Sequence, residues 1–273
     1  MPKIVNRFLE PIGDAMQYDP IKDRAASLIG LFPGLRKCFY KALNLLLLRQ
    51  RYVLQEIASH FQDGMTFYDA GAGFCQYSHY VLQRYPKSNV FATDLKTDYL
   101  RSYALQAGSR FSFQSADLQD FVPKASYDMA IAIDILEHIE NDVQALNNIH
   151  AALKPGGKLI ISTPSDTDEA AKFTEEHVRP GYNKAELEEK LLNCGYDIQK
   201  SIYSYGRYGA LSWRLMMKYP LKIIAINKLG ILLLPLWYAL VYPISEILMQ
   251  LDLRENNPTG TGILIVAAKR IDR

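Results

Sequence analysis

Between residues 66 and 163 the chain changes pattern every dozen or so residues, and this alternation limits the folds open to it. Short β-rich runs lie at Thr66–Tyr68, Asn89–Thr93, Phe111–Ser115, Asp128–Ile133 and Lys158–Thr163. Between them, Ser78–Arg84, Asp98–Ala107 and Asn141–Leu153 have the composition or spacing of helices. Asp128–Ile133 is apolar after its first residue, as suits a strand covered on both faces. Strands alternating with helices imply an α/β fold, a parallel sheet with helices on both sides. Asn141–Leu153 stops at Lys154-Pro155-Gly156-Gly157, a strong turn. Asn183–Cys194 reads as a further helix, with Asn183 as N-cap and Gly195 at its end. Tyr196–Tyr203 and Gly262–Ala268 complete the strand candidates.

The 273 residues allow one large core with a modest accessory region. A net charge of +2 is too small to argue for nucleic acid as a partner. Cys38, Cys75 and Cys194 lie far apart, which argues against a disulfide framework and suits a reducing cytoplasm. Met1–Pro20 holds no continuous hydrophobic run, so a cleaved signal peptide is not expected.

The most informative stretch is Phe67-Tyr68-Asp69-Ala70-Gly71-Ala72-Gly73. A strand ending in two closely spaced glycines lets the backbone turn sharply and approach a ligand. The N–H groups of the following helix face the same point. The carboxylate of Asp69 would repel a pyrophosphate there and welcome an ammonium group, which argues against a dinucleotide. Asp94, followed by Leu95, ends the second strand, where a carboxylate can accept hydrogen bonds from both hydroxyls of a ribose. Asp117-Leu118 follows the third strand, where a carboxylate and the next N–H can meet an adenine edge. Singly, these would also read as a structural turn, a helix N-cap and a loop aspartate. Together they fall at the C-terminal ends of successive strands, the edge where open parallel sheets bind ligands.

These residues, with Tyr127-Asp128-Met-Ala-Ile-Ala-Ile-Asp134-Ile-Leu-Glu137-His138 and Leu153-Lys-Pro-Gly-Gly-Lys158, resemble the class I S-adenosylmethionine-dependent methyltransferase signature over roughly residues 60–206. The resemblance implies a Rossmann-like seven-stranded, mostly parallel sheet with the last strand antiparallel. It implies a helical cap over residues 1–60, a cofactor-binding core over 61–206, an apolar helical insertion over 207–259 and a final core strand over 260–273. Asp69, Ala70, Gly71 and Gly73 would line the methionine part of the donor, Asp94 and Leu95 the ribose, and Asp117 and Leu118 the adenine. Asp134 would border the sulfonium. Cys75 stands where many members have a third glycine.

Three further residues are candidates for catalysis. His138 could deprotonate a hydroxyl, since its ordinary pKa lies near neutrality, or could simply cap the next helix. In ubiquinone-type O-methyltransferases a similar carboxylate-x-x-Glu-His run is linked to a divalent metal, so a metal on Asp134, Glu137 and His138 stays open as the weaker alternative. His177-Val-Arg179-Pro-Gly-Tyr182 resembles a segment of many such enzymes that overhangs the ligand edge. His177, Arg179 and Tyr182 would touch the acceptor there, or Arg179 and Tyr182 would simply pin the loop.

Two apolar regions lie outside the basic fold. Leu229–Ser245 runs 17 residues without a charge, near the lower limit of a membrane span, and Pro235 and Pro243 are expected to break it. The strand after it must return to pair with the strand before it, which opposes a single crossing. Leu35–Tyr52 reads as a second apolar helix with basic flanks. The two regions can form a lid over an acceptor pocket, bury their leucines against each other or a homodimer partner, or contact a membrane surface. The expected activity is methyl transfer from S-adenosylmethionine, leaving S-adenosylhomocysteine, to a small hydrophobic acceptor: a lipid, quinone, polyketide or pigment-like molecule. O-methylation leads, with nitrogen and carbon open. A non-catalytic donor-binding or membrane-docking module is the alternative, and an RNA methyltransferase the third, opposed by the near-neutral charge.

Overall fold

The computed structural model describes residues 33–166 and 178–271. Helices α1 (Pro33–Leu46) and α2 (Leu48–His60) precede a sheet of seven strands. These are β1 (Thr66–Ala70), β2 (Asn89–Asp94), β3 (Phe111–Ser115), β4 (Tyr127–Ile133), β5 (Leu153–Pro164), β6 (Tyr196–Ser204) and β7 (Gly262–Lys269). Their order is β3-β2-β1-β4-β5-β7-β6. The first five pair in parallel, and β7 runs antiparallel to both β5 and β6. The expected fold class is the one the chain adopts. Because β1 pairs with β2 on one side and β4 on the other, the strand order reverses there and leaves a crevice at their C-terminal ends.

Helices α3 (Gln76–Arg84), α4 (Asp98–Ala107), α5 (Asp142–Ala152) and α6 (Lys184–Asn193) cover the sheet. Alternate strand residues face opposite sides. Phe67, Met129 and Ile131 pack with Val53 and Ile57 of α2, Val81 of α3 and Leu100 of α4. Tyr68, Ala130 and Ala132 pack with Leu146 and Ile149 of α5 and Leu187 and Leu191 of α6. Side-chain caps begin two of these helices: Asn141 Oδ1 accepts from Gln144 N at 3.1 Å, and Asn183 Oδ1 from Ala185 N at 3.0 Å.

The structure differs from the sequence reading in three places. Leu35–Tyr52 is not one helix, because Leu47 is extended (φ −107°, ψ 106°) between α1 and α2. That break lets α2 turn its own apolar face, from Leu48 to Ile57, onto the sheet. The Lys154–Gly157 turn lies inside β5, between the register pairs Tyr127↔Leu153 and Met129↔Lys158. Gly156 takes a φ of +73° there, and a Cβ on Gly157 would fall 2.8 Å from Lys154 O. Pro243 does not break the last helix, which runs on as α9 (Leu234–Arg254). Pro235 sits in its first turn, where the missing N–H costs little.

Between β6 and β7 the insert forms α7 (Arg207–Trp213), a π-helical turn at Arg214–Lys218, α8 (Tyr219–Ile226), a 3-10 segment at Lys228–Leu233, and α9. It packs on α2 through buried Met249 and Asp252. Tyr52 Oη donates to Asp252 Oδ2 at 2.9 Å, and Gly209 N donates to Asp252 Oδ1 at 2.9 Å. Arg51 meets Glu246 through two bonds of 2.8 and 2.7 Å. Trp237 Nε1 and Tyr238 Oη donate to the carbonyls of Leu215 and Met216, both at 3.0 Å, which satisfies the π-helical turn. Helix α2 and the insert are therefore packed together.

Candidate active site

The turn after β1 is held by the neighbouring strand. Gly71 N and Ala72 N both donate to Thr93 O, at 2.9 and 3.0 Å, and Gly73 N donates to Asp94 Oδ2 at 2.9 Å. Gly71 (φ +79°) and Gly73 (φ +48°) are left-handed. A Cβ on Gly71 would stand 2.7 Å from Ile135 Cγ1, whereas nothing lies within 4 Å of one on Gly73. Gly73 thus faces open space, as a backbone that approaches a ligand must. Cys75 is also left-handed (φ +55°) and buried, which explains why glycine suits that position.

Asp69, 2% exposed, accepts from Ser78 Oγ at 2.6 Å. Burial pushes its carboxyl up to about 7; the Ser78 bond opposes this and the nearby Asp94 carboxylate adds to it. A cation brought beside it would restore the ionised form. Asp94 also accepts from Lys96 N at 2.9 Å through its other oxygen, so both oxygens face the loop and each keeps a lone pair. Ala70 is buried in the sheet, and Leu95 is 70% exposed above it.

Past β3, Asp117 Oδ1 accepts from Gln119 N at 2.9 Å, and Leu118 is buried. Asn148 of α5 holds this loop, donating to the carbonyls of Leu118 and Gln119, both at 2.8 Å. At the tip of β4, Asp134 takes a φ of +49° while its N–H donates to Ser162 O at 2.8 Å. Its Oδ2 ion-pairs with Arg49 Nη1, and its Oδ1 is buried without a hydrogen-bond partner. Asp69, Asp94, Asp117 and Asp134 are thus gathered at the ends of β1 to β4, along one edge.

Glu137 and His138 lie in a 3-10 turn after β4. Glu137 is buried and turned inward, accepting from Thr163 Oγ1 at 3.1 Å. Burial first, then the Asp134 carboxylate, holds it well above the ordinary carboxylate range. His138 is half-buried in the same turn. Among the described residues, no group of three or more His, Cys, Asp or Glu is disposed to hold a metal ion.

Arg179 donates to the carbonyls of Leu136 and Ile139, both at 2.8 Å, and to that of Glu140 at 3.0 Å. Tyr182 Oη lies 3.0 Å from Leu136 O and 2.7 Å from Asp142 Oδ2. Both side chains tie the segment to the turn after β4. His177 lies outside the described residues.

A family model described as a methyltransferase domain matches residues 68–159. Over that stretch the chain resembles the class I S-adenosylmethionine-dependent methyltransferases. Ubiquinone biosynthesis O-methyltransferase of Rickettsia felis is 25% identical over 126 residues, 45% of this chain and 52% of that one. Trans-aconitate 2-methyltransferase of an Azoarcus species is 30% identical over 107 residues, 39% of this chain and 42% of that one. The match therefore spans about half the length of these relatives. Among solved structures, phosphoethanolamine N-methyltransferase 2 of Haemonchus contortus, in complex with S-adenosyl-L-methionine, superposes with a TM-score of 0.57 at 18% identity. It covers 81% of this chain and 52% of that one, a likeness of fold.

The residues that sequence reasoning missed sit mostly outside the matched stretch. Arg49 and Arg36 look like flanking charges of apolar helices, and no local signal marks either as pointing at the site. Tyr40 Oη donates to Phe74 O of the glycine loop at 2.6 Å. Arg36 lies buried over the rings of Tyr99 and Tyr103, 4.9 and 5.4 Å from their centroids. Helix α1 thus packs over the glycine loop and α4.

Proposed function

We propose that the chain transfers a methyl group from S-adenosylmethionine to an oxygen of a small, hydrophobic acceptor of lipid, quinone, polyketide or pigment type. The observation that carries this reading is the row of Asp69, Asp94 and Asp117 at the ends of three adjacent strands, beside a glycine loop whose Gly73 faces open space. The residues fit the donor. Asp69, with Ala70, Gly71 and Gly73, would hold its methionine part, Asp94 and Leu95 its ribose, and Asp117 and Leu118 its adenine. Asp134 would face the sulfonium.

The donor supplies a sulfonium methyl open to in-line displacement. The acceptor oxygen forms the new bond to that carbon as the carbon–sulfur bond breaks, and the electron pair stays on sulfur in S-adenosylhomocysteine. The protein's part is to hold the two in line, the main source of rate in such a transfer. His138 is the candidate base for the acceptor hydroxyl, and His177 a candidate acceptor contact. Tyr182 is proposed as a positioning residue, because its hydroxyl already meets Asp142 and Leu136. O-methylation is supported by the ubiquinone-type relatives, and the apolar cap and insert support a hydrophobic acceptor. Three free cysteines suit a reducing cytoplasm, which is part of the proposal.

Thermal stabilisation by S-adenosylhomocysteine tests donor binding, and no shift at millimolar ligand overturns it. Asp94→Ala should weaken that binding by about tenfold or more, since a charge-assisted bond contributes roughly 1.5–3 kcal/mol. Methyl transfer from labelled donor to a panel of phenols, with amines as the comparison, tests the acceptor. Transfer to amines alone would refute the oxygen assignment.

A further inference from the structure

The insert carries an apolar face that nothing among the described residues covers. Leu232, Leu236, Leu240, Ile244, Ile247 and Leu251 recur every three or four residues on one side of the 3-10 segment and α9, and each is 41–74% exposed. The stripe is about 29 Å long at roughly 1.5 Å per residue. Soluble proteins seldom leave a contiguous apolar surface of such extent open without a partner. An apolar groove of about 430 Å³ lies between α1 and α9, lined by Ala239 and Pro243, chain neighbours of Leu240 and Ile244, and by Leu45, Leu46 and Met216.

Length and hydropathy alone would allow Leu229–Arg254 to cross a bilayer, but the fold opposes it. The residues before and after the insert are paired strands of one sheet, β6 and β7, in register from Tyr196↔Lys269 to Ser204↔Gly262. The inner side of α9 is fixed to the protein through buried Ser245, Met249 and Asp252 and through the Arg51–Glu246 pair. One side of the helix therefore belongs to the domain and only the other is free, the arrangement of a helix lying in an interface.

Charge selects the occupant. From Arg207 to Ser245 the insert holds Arg207, Arg214, Lys218, Lys222 and Lys228 and no Asp or Glu. Arg214 and Lys222 are exposed, and Trp213 and Tyr219 beside them are 37% and 39% exposed, as suits residues at headgroup level. A two-fold contact between copies would bring Arg214, Lys218 and Lys222 of the two together, whereas anionic headgroups would neutralise them. We propose that this face of α9 docks on the surface of a bilayer carrying anionic lipids.

The test is flotation of the full chain with vesicles of phosphatidylcholine alone and of equal parts phosphatidylcholine and phosphatidylglycerol. Binding is expected to the mixed vesicles and to weaken as salt is raised. Leu236→Glu with Leu240→Glu should lower partitioning by about tenfold or more, as should Lys218→Glu with Lys222→Glu. An unchanged thermal transition would show that each variant is folded. No flotation at low salt would overturn the proposal, as would equal flotation of the leucine variant. So would light scattering that gives a dimer which the leucine variant dissociates. Flotation needs neither donor nor acceptor, so its failure is distinct from failure of the methyl-transfer reading.

Discussion

Arg49, on α2, ion-pairs with Asp134 at the tip of β4, and so joins that helix to the ligand edge of the sheet. The backbone N–H of Arg49 donates to Tyr205 Oη at 3.1 Å, which ties the start of the insert to the same point. Asp134 holds a left-handed backbone and one buried oxygen without a partner, so its remaining contact should matter.

A double-mutant cycle measures that contact. Arg49→Met and Asp134→Asn are each expected to destabilise the protein to urea, and the pair together by less than the sum. A coupling of about 1 kcal/mol is expected for a pair that is only partly shielded from water. A coupling of zero would mean that α2 is held by packing alone.

Donor affinity should depend on pH through Asp69. Its carboxyl is pushed up to about 7 by burial, so much of it is protonated at neutral pH. A cationic ligand favours the ionised form, so binding would release a proton. Affinity should therefore rise as pH rises through that region, by up to about tenfold per unit on its acid side. Isothermal titration from pH 6 to pH 8 reads this directly, with buffers of differing ionisation heat to count the proton. For folding the sign is reversed: the native state holds the proton more tightly than the unfolded chain, so this group's contribution to stability falls as pH rises from about 4 to about 7. Asp69→Asn should then weaken donor binding and flatten both pH dependences. Unaltered binding in that variant would remove Asp69 from the donor site.

The two loop glycines should respond differently to alanine. Gly71→Ala would place a Cβ 2.7 Å from Ile135 at a φ of +79°, so both strain and collision oppose it. A loss of about 2 kcal/mol or more is expected in chemical denaturation. Gly73→Ala meets no neighbour within 4 Å and should cost about 1 kcal/mol from its left-handed φ alone. Its greater effect should fall on donor affinity, because the added methyl enters the space the ligand needs. Equal losses of stability in both variants would contradict this division.

How much of this was legible in the sequence follows from the range of the interactions. The sheet could be read because each strand carries its own pattern, and Met129–Ile133 is apolar as its double cover demands. Asp69, Asp94 and Asp117 could be placed because strand ends fix where loop residues emerge. Arg49 could not, since its partner is 85 positions away and nothing in Leu48–His60 encodes the direction of one guanidinium. The break at Leu47 was hidden for the same reason, as continuous apolar residues describe two helices as well as one. Pro243 misled because a proline removes one N–H, a loss that packing of α9 on the domain outweighs. Asp142, Asn148 and Thr163, which hold the site loops, stand in segments whose own helical or strand pattern accounts for them.

Tyr182 separates positioning from catalysis. Its hydroxyl donates to Asp142 Oδ2, which also meets Lys190 Nζ at 2.6 Å, and both bonds brace the turn that carries Glu137 and His138. Burial pushes the Asp142 carboxyl up, but the Lys190 and Tyr182 bonds and the Arg179 charge outweigh it and hold the group below its ordinary value. Its contribution to stability is thus present above the unfolded carboxylate range and is lost as pH falls through the lowered folded value. Tyr182→Phe removes one of those bonds while filling nearly the same space. It should cost about 1–2 kcal/mol at neutral pH and move the acid-unfolding midpoint upward. If Tyr182 positions, kcat should fall by no more than about tenfold and the pH–rate profile should keep its shape. A hundredfold fall in kcat with stability unchanged would instead place the hydroxyl on the acceptor.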